Sequence, residues 1–376
     1  MSTICVLVHR GQVGQPSPDP DSRTEAPVTM IAVTKNSVIW TIRRYAGGSI
    51  VCRTAMARGY PSICARIGTV TCETDPMAEI YDEFGLFHEN AAELGIEFVA
   101  PRVERVSADV GGGQRVSALR WGAPDADIDL VLVHGGAQNA HTWDSVALLL
   151  DRPLLAVDLP GHGHSDHRDD HAYWPHENAR ALAIALEQFG VRPKVVVGMS
   201  LGGLTSLALS AHAPALVPSL VLVDVTPGVD RDKASAIVQF VNGPELFTSF
   251  QEILDRTMQF NPTRSEASLR RGVLHNAREF PDGSWRWRYD LPRHGSGEGE
   301  SGSVMPGLDA LWQAAADHEG PILLVRGANS PVVSDADVAE LHRRNPSAEV
   351  IVVDGAGHSV QGDRPHDLAA IIAERR

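Results

Sequence analysis

The chain has 376 residues, 43% of them hydrophobic, and a formal net charge of −14. A chain of this length can hold one domain of about 250–300 residues with an appendage, or two smaller domains. The acidic balance argues against nucleic acid and anionic lipid as partners. No run approaches the roughly 20 apolar residues that span a bilayer, so the sequence predicts no membrane span.

Residues 1–76 differ from the rest of the chain. They hold all four cysteines, at spacings that fit no CxxC metal or redox pattern. Residues 11–27 are rich in Pro, Ser and charge, which is typical of disorder, and short β-like runs follow at 28–33 and 37–42. The N-terminus lacks the features of a secretion signal, which favours a cytoplasmic location. Because MAEIYDEFGLFHENAAELG begins a domain-like pattern at Met77, we expect residues 1–76 to be an extension, either disordered or included through a mis-assigned gene start.

From residue 101 onward, strands alternate with helices. Residues 102–110 and 114–121 flank three consecutive glycines, which is a hairpin signal. The later strands are nearly continuous apolar runs, and such runs between helices indicate a parallel sheet covered on both faces. The sequence predicts these strands at 128–133, 154–157, 194–199, 219–224, 322–327 and 349–355, and helices at 143–150, 176–189, 201–213 and 335–344.

A long stretch separates the strands at 219–224 and 322–327. It holds roughly 95 residues, far more than one crossover needs. We expect residues 229–310 to form a helical lid over the carboxyl ends of the strands, where ligands bind in open α/β sheets. Residues 77–228 and 311–376 then form one α/β core. The lid's predicted helical pieces are 231–241, 244–260 and 263–279, followed by the aromatic residues Trp285, Trp287 and Tyr289.

The segment VVVGMSLGG (195–203) has the form G-x-S-x-G between a strand and a helix. A serine hydroxyl is a poor nucleophile unless a base takes its proton and its geometry is forced. Gly198 and Gly202 allow a tight strand-to-helix turn that projects the Ser200 hydroxyl. We therefore predict Ser200 as a nucleophile. The backbone N–H of Leu201 is predicted to help hold the oxyanion that forms on attack.

A second oxyanion donor is expected from the loop that follows the strand ending at residue 133. The loop reads His134-Gly135-Gly136-Ala137, and glycine lets the backbone approach a substrate closely. We predict Gly136 as the donor, with Ala137 as the next choice. His134 is expected only to brace the loop.

His358 is the predicted base among sixteen histidines. It follows a strand and two glycines in VVDGAGHSV, which places it on a loop at the carboxyl edge of the sheet. In serine hydrolases whose nucleophile lies at a strand-to-helix turn, the catalytic residues follow in the chain order serine, acid, histidine. A histidine that comes this late in the chain matches that order.

From about 128 to 370 the chain resembles the α/β-hydrolase superfamily, because HGG, DLPGHGHSD (158–166), GMSLGG and GAGHSV follow in that family's order. It differs from epoxide hydrolases and haloalkane dehalogenases, whose elbow nucleophile is aspartate. VLVDVTPG (221–228) and RGANSPVVS (326–334) resemble a branch of small bacterial carboxylesterases and their mitochondrial relatives. The resemblance implies a mostly parallel, doubly wound sheet with an inserted helical lid. It also implies hydrolysis of a carboxylic ester or thioester through an acyl-enzyme.

The resemblance also bears on the acidic member of the triad. Most members of the superfamily carry the acid at the position that Ser330 occupies here, and serine cannot hold the negative charge that stabilises imidazolium. In the carboxylesterase branch the acid follows the preceding strand, and the matching position is Asp224. The resemblance therefore implies Asp224 as the acid, with Ser330 helping to position His358 or Asp224. Asp335 and Asp337 are the fallback acids.

Three alternatives stay open. Residues 162–167 match H-x-H-x-D-H, the ligand run of dinuclear zinc hydrolases, although the preceding DLPG makes this run an ordinary loop of the resembled family. The same triad could serve a carbon–carbon bond hydrolase or a cofactor-free haloperoxidase. The chain could also be a binding protein on a hydrolase scaffold. We expect no metal and no cofactor, and a small ester or thioester as the partner.

The sequence also predicts the character of the substrate pocket. Trp143 and Met199, which is beside the nucleophile, suggest an apolar pocket for an acyl or alcohol group, and Trp285 and Trp287 point the same way. The sequence determines neither the natural substrate nor the oligomeric state.

Overall fold

The computed structural model describes residues 81–229, 232–262, 264–290 and 307–375, together with four short strands nearer the N-terminus. The chain divides into two compact units, Met1–Asp82 and Glu83–Arg376. In the first unit the short strands form two antiparallel pairs: Val6–Val8 with Met30–Ala32, and Thr41–Arg44 with Ile50–Arg53. The segment 11–27 and the predicted domain start at Met77 lie outside the described residues, so the interpretation of residues 1–76 stays a prediction.

The second unit is built on an eight-stranded sheet. Its strands, labelled in chain order together with three that belong to a smaller sheet, are β1 (Val103–Gly111), β2 (Gln114–Trp121), β3 (Leu130–Val133), β4 (Leu154–Val157), β5 (Val195–Met199), β6 (Leu220–Val223), β7 (Leu246–Phe247), β8 (Ala277–Glu279), β9 (Trp285–Trp287), β10 (Ile322–Gly327) and β11 (Glu349–Val353). The large sheet has the order β11-β10-β6-β5-β3-β4-β2-β1. The six strands from β11 to β4 are parallel, and the β1–β2 hairpin is added antiparallel.

The continuous apolar runs are buried because alternate side chains of each strand pack into two different hydrophobic cores, one on each face of the sheet. In β3, Val131 and Val133 pack into the cluster on one face of the sheet, while Leu130 and Leu132 pack into the cluster on the other. Successive side chains of a strand point to opposite faces, so a strand covered on both sides needs apolar residues at every position. This confirms the predicted mostly parallel, doubly wound sheet.

Helices cover both faces of the sheet. One face packs on the helices Pro175–Gln188, Leu201–His212, Leu308–Asp317 and Asp335–Arg344, and the other on the helices Phe87–Leu94, Asp144–Leu150 and Pro365–Ala373. No helix in the described part of the chain is both long and apolar enough to cross a membrane. The helices are α1 (Phe87–Leu94), α2 (Asp144–Leu150), α3 (Pro175–Gln188), α4 (Leu201–His212), α5 (Ser235–Val241), α6 (Phe250–Phe260), α7 (Glu266–Asn276), α8 (Leu308–Asp317), α9 (Asp335–Arg344), α10 (Val360–Asp363) and α11 (Pro365–Ala373).

The stretch predicted as a lid, residues 229–310 and here called the inserted segment, is not wholly helical. It contains α5, α6 and α7, but also the small antiparallel sheet β7-β9-β8. Residues 277–279, predicted as the end of a helix, are strand β8. The sequence missed this sheet because its strands have two or three residues, too few for a period of two to stand out. The segment has its own small apolar core, in which Phe247, Ile253, Leu269 and Val273 are buried.

Candidate active site

Ser200 lies at the turn between β5 and α4, the strand and helix predicted around it. Its backbone is strained, with φ 49° and ψ −118°. A residue other than glycine rarely adopts a positive φ, and such strain persists only where the surroundings impose it. Here the Ser200 N–H donates to the carbonyl of Val223 at 3.2 Å, so the turn is tied to the neighbouring strand β6.

The glycines of the motif are required by close backbone packing. A Cβ at Gly198 would lie 2.5 Å from the carbonyl oxygen of Gly202. A Cβ at Gly202 would collide with the carbonyl oxygens of Val133 and His134. This strand-to-helix turn, residues 198–202 and here called the elbow, therefore packs directly against the end of β3 and the loop that follows it. No room is left for a side chain at Gly198 or Gly202.

The loop after β3, residues 134–139 and here called the oxyanion loop, runs beside Ser200. A Cβ at Gly135 would lie 3.2 Å from the Cβ of Ser200, and Gly136 faces the side chain of Leu201. Within the described residues, neither the Gly136 N–H nor the Leu201 N–H has a hydrogen-bond acceptor. The N–H of Ala137, the next choice in the sequence analysis, already donates to Nε2 of His162 at 3.1 Å. Of Gly136 and Ala137, therefore, only Gly136 has a backbone N–H without an acceptor among the described residues.

Two buried histidines support the oxyanion loop. His134 donates from Nδ1 to the Gly135 carbonyl at 2.7 Å and accepts from the Leu159 N–H at Nε2. His162 donates from Nδ1 to the Pro160 carbonyl at 3.0 Å, which leaves Nε2 as an acceptor. Burial lowers the pKa of both rings, that of His162 to about 3. Both imidazoles are therefore neutral, each with one donor and one acceptor nitrogen in use.

The structure brings Asp224, His358 and Ser330 together. Asp224 follows β6 at a positive φ of 50° and is completely buried. Nδ1 of His358 donates to its Oδ2 at 2.8 Å, the hydroxyl of Ser330 donates to the same oxygen, and the Gly327 N–H donates to Oδ1 at 3.0 Å. A carboxylate with both oxygens engaged can orient an imidazole and fix which nitrogen carries the proton.

The two fallback acids lie elsewhere. The side chain of Asp335 is 95% exposed and pairs with Arg326. Asp337 accepts from Lys233 and caps the start of α9 through Ser334. Neither carboxylate is bonded to His358, so among the acids considered from the sequence only Asp224 reaches the histidine.

The predicted pocket residues Met199 and Trp143 are both buried, at 1% and 0% exposure, in the same core cluster. Met199 Sδ lies against Gly135, next to the nucleophile. A separate small cleft in the inserted segment is lined in part by Val241, Trp287 and Tyr289. A role for Met199 and Trp143 in binding substrate stays a prediction.

The H-x-H-x-D-H run does not converge on one point. His162 is engaged with Pro160 and the oxyanion loop, as described above. Asp166 accepts from the Arg115 N–H at 2.9 Å, and Nε2 of His167 lies 3.1 Å from the Arg288 carbonyl. These side chains hold the loop to three different parts of the fold rather than forming a ligand set.

Another group, which the sequence analysis did not single out, places three metal-ligand types together. Within the described residues, ligand atoms of His141, Asp144 and His275 lie within 4.8 Å of one another. The two imidazoles are stacked, however, with ring centroids 3.8 Å apart and planes 10° from parallel. Their lone pairs lie in the ring planes and do not meet at one metal ion. Nδ1 and Nε2 of His141 instead lie 2.9 and 3.1 Å from the carboxylates of Asp144 and Glu83, an arrangement that fits an imidazolium.

Sequence reasoning missed Asn139 and Asn276, which join the inserted segment to the oxyanion loop. Nδ2 of Asn276 donates to the Ala137 carbonyl at 2.6 Å, and Nδ2 of Asn139 donates to Oδ1 of Asn276 at 3.1 Å. An asparagine in a loop or at a helix end carries no sequence signal of such a distant contact.

Residues 130–365 match the family model of the alpha/beta hydrolase fold. The chain therefore belongs to the α/β-hydrolase family.

Among its relatives is the esterase Rv0045c of Mycobacterium tuberculosis, 45% identical over 298 residues that cover 77% of this chain and 94% of the relative. A crystal structure of that esterase matches with a TM-score of 0.67 and 44% identity, over 78% of this chain and 97% of the other. The sn-1-specific diacylglycerol lipase ABHD11 of Mus musculus is 30% identical over 279 residues, 70% of this chain and 87% of the relative. These findings confirm the predicted fold and the predicted class of enzyme, a carboxylesterase-like hydrolase.

Proposed function

We propose that this chain is a serine esterase in which Ser200, His358 and Asp224 form the catalytic triad. One observation carries the proposal. Ser200 and Asp224 follow paired residues, Met199 and Val223, of two adjacent parallel strands, so a strained serine and a buried carboxylate bonded to His358 share one edge of the sheet. Acyl transfer requires a nucleophile, a base and a group that orients the base, and this placement supports those roles for Ser200, His358 and Asp224.

In the proposed mechanism Ser200 attacks the ester carbonyl while Nε2 of His358 takes its proton. Asp224 holds Nδ1–H, keeps Nε2 free to accept, and stabilises the imidazolium that forms. The N–H groups of Gly136 and Leu201 donate to the oxyanion. His358 then protonates the leaving alcohol, and water, activated by the same ring, releases the acid from Ser200. The hydroxyl of Ser330 supports this cycle by fixing the Asp224 carboxylate.

The substrate we infer is a carboxylic ester with an apolar acyl or alcohol group. The two named relatives are an esterase and a diacylglycerol lipase. In this chain, Tyr289 stacks on Trp287 and on His162, with ring centroids 5.5 and 6.5 Å apart, so the aromatic cleft of the inserted segment adjoins the support of the oxyanion loop. We infer that the inserted segment is the lid over this site, and a cytoplasmic location stays a prediction.

An acyl-chain series of p-nitrophenyl esters, with matching thioesters, tests the proposal on wild type and Ser200→Ala. Wild type should hydrolyse the esters, and Ser200→Ala should lose at least about 10³-fold in kcat. Survival of activity in Ser200→Ala would reject the mechanism. A preference for thioesters would change the substrate class while keeping the triad. Loss of wild-type activity on dialysis against a chelator would favour the zinc alternative.

A further inference from the structure

Ala137, in the middle of the oxyanion loop, is held through both of its peptide groups. Its N–H donates to Nε2 of His162 at 3.1 Å, and its carbonyl accepts from Nδ2 of Asn276 at 2.6 Å. Its backbone has a φ of 58°, in the left-handed region that residues other than glycine rarely adopt. The two side chains therefore fix a conformation that the loop would not hold by itself.

Each of the two supporting side chains is in turn oriented by a further contact. Donation from Nδ1 of His162 to Pro160 leaves Nε2 unprotonated and able to accept from Ala137. Oδ1 of Asn276 accepts from Nδ2 of Asn139, which directs the other end of the Asn276 amide, its donor, at Ala137. Asn139 donates as well to the carbonyl of His275 at 3.2 Å, so the last turn of α7 is bonded to the loop at two residues.

The position of this loop matters because the candidate oxyanion donor Gly136 immediately precedes Ala137. Gly136 lies beside Leu201, and Gly135 lies beside Ser200. Oxyanion donors act at about 2.7–3.1 Å from an atom that carries charge only in the transition state, and misplacement by about 1 Å can cost on the order of 10²-fold in rate. A small rotation about Ala137 would carry the Gly136 N–H out of that range.

We propose that Asn276 and His162 are positioning residues that hold the oxyanion loop in place through hydrogen bonds to the two peptide groups of Ala137. The inserted segment, through Asn276, then takes part in stabilising the transition state. This inference rests on the proposed function, because these two hydrogen bonds affect the rate only if an oxyanion forms at Ser200.

The test compares Asn276→Ala with Asn261→Ala. Asn261 is a matched control: it lies in the same inserted segment, directly after α6, and its Nδ2 donates at 2.9 Å to the carbonyl of Thr257 in that helix. Rates on a p-nitrophenyl ester are measured per active site, counted by titration with a fluorophosphonate. We expect Asn276→Ala to lower kcat by about 10- to 100-fold with KM within about twofold of wild type, and Asn261→Ala to leave both unchanged.

A boronic acid that forms a tetrahedral adduct with serine gives a second readout. Its inhibition constant should rise in Asn276→Ala by about the same factor as kcat falls, since both report the oxyanion donors. Asn276→Gln, which keeps an amide donor, should recover part of the loss. Should Asn276→Ala not yield folded protein, Asn276→Asp, which has the same size but no donor, carries the same comparison.

Ser200→Ala, assayed in parallel, distinguishes a failure of the positioning role from a failure of the proposed function. If Ser200→Ala is inactive and the kcat of Asn276→Ala equals that of Asn261→Ala, the positioning role is overturned and the proposed function stands. A change in KM alone would also overturn it. If Ser200→Ala keeps wild-type activity, the proposed function fails and the inference fails with it.

Discussion

Left-handed backbone at residues other than glycine is concentrated around the proposed chemistry. Of the five such residues in the described part of the chain, Ala137 is in the oxyanion loop, Ser200 is the proposed nucleophile and Asp224 is the proposed acid. Each conformation of this kind costs about 1–3 kcal/mol and needs surroundings that impose it. Here those surroundings are hydrogen bonds to Val223, Gly327 and the supports of Ala137.

Replacing the proposed acid tests the assignment at single-residue level. Asp224→Asn keeps the size of the side chain but removes the charge that stabilises imidazolium and allows the wrong histidine tautomer. We expect kcat to fall by about 10³–10⁴-fold. Asp335→Asn is the control, because that carboxylate is exposed and pairs with Arg326 at the surface. Steady-state rates in which Asp335→Asn is the more damaging change would move the acid to the fallback position.

At the scale of elements, the strand-to-helix turn explains why two glycines flank the serine. Gly202→Ala would place a methyl group against the backbone of Val133 and His134, which cannot yield as a flexible side chain would. We expect it to destabilise the fold by about 1–3 kcal/mol and to lower activity sharply.

Gly272→Ala is the matched control, because Gly272 lies inside α7 and an added Cβ would meet no atom within 4 Å apart from the neighbouring backbone of its own helix. We expect this change to stabilise the protein by about 0.5–1 kcal/mol, as alanine has the higher helix propensity. Denaturant unfolding of both variants checks the pair, and equal effects would show that packing at the elbow is not the cause.

How much of these elements the sequence predicts depends on the range of the contacts involved. The ends of the core strands were predicted to within two residues. This was possible because a strand buried on both faces is a continuous apolar run, a pattern that lies within the strand's own residues. The elbow was equally readable, since its geometry needs only Gly198, Ser200 and Gly202. The bond from Asn276 to Ala137 joins residues 139 positions apart and depends on how the inserted segment packs, so no local pattern contains it.

On the scale of the whole molecule, a buried ionic group ties the beginning of the second unit to its core. Glu83 and Asp144 enclose His141, and Arg105 of β1 bonds to both Glu83 and Asp158. Burial alone would lower the pKa of His141, but the two carboxylates outweigh it and raise the pKa to about 9. His141 is therefore an imidazolium at neutral pH.

The raised pKa of His141 predicts how the free energy of unfolding changes with pH. A histidine whose pKa rises on folding from 6.5 to about 9 stabilises the fold fully below pH 6.5, and this contribution is lost as the pH rises through about 9. The difference in free energy of unfolding between wild type and His141→Gln should therefore be largest at pH 6 and shrink toward pH 10. His212→Gln, at the exposed end of α4, is the control. Urea unfolding at several pH values checks this, and a difference that grows with pH would contradict it.

Covalent labelling tests most directly whether Ser200 is the nucleophile of an esterase. The full chain is treated with a fluorophosphonate, digested, and the modified residue located by mass spectrometry. We predict one phosphonate per chain on the peptide that contains Ser200, loss of esterase activity in proportion to labelling, and no labelling of Ser200→Ala. Stoichiometric labelling at another residue, or full activity after Ser200 is modified, would contradict it.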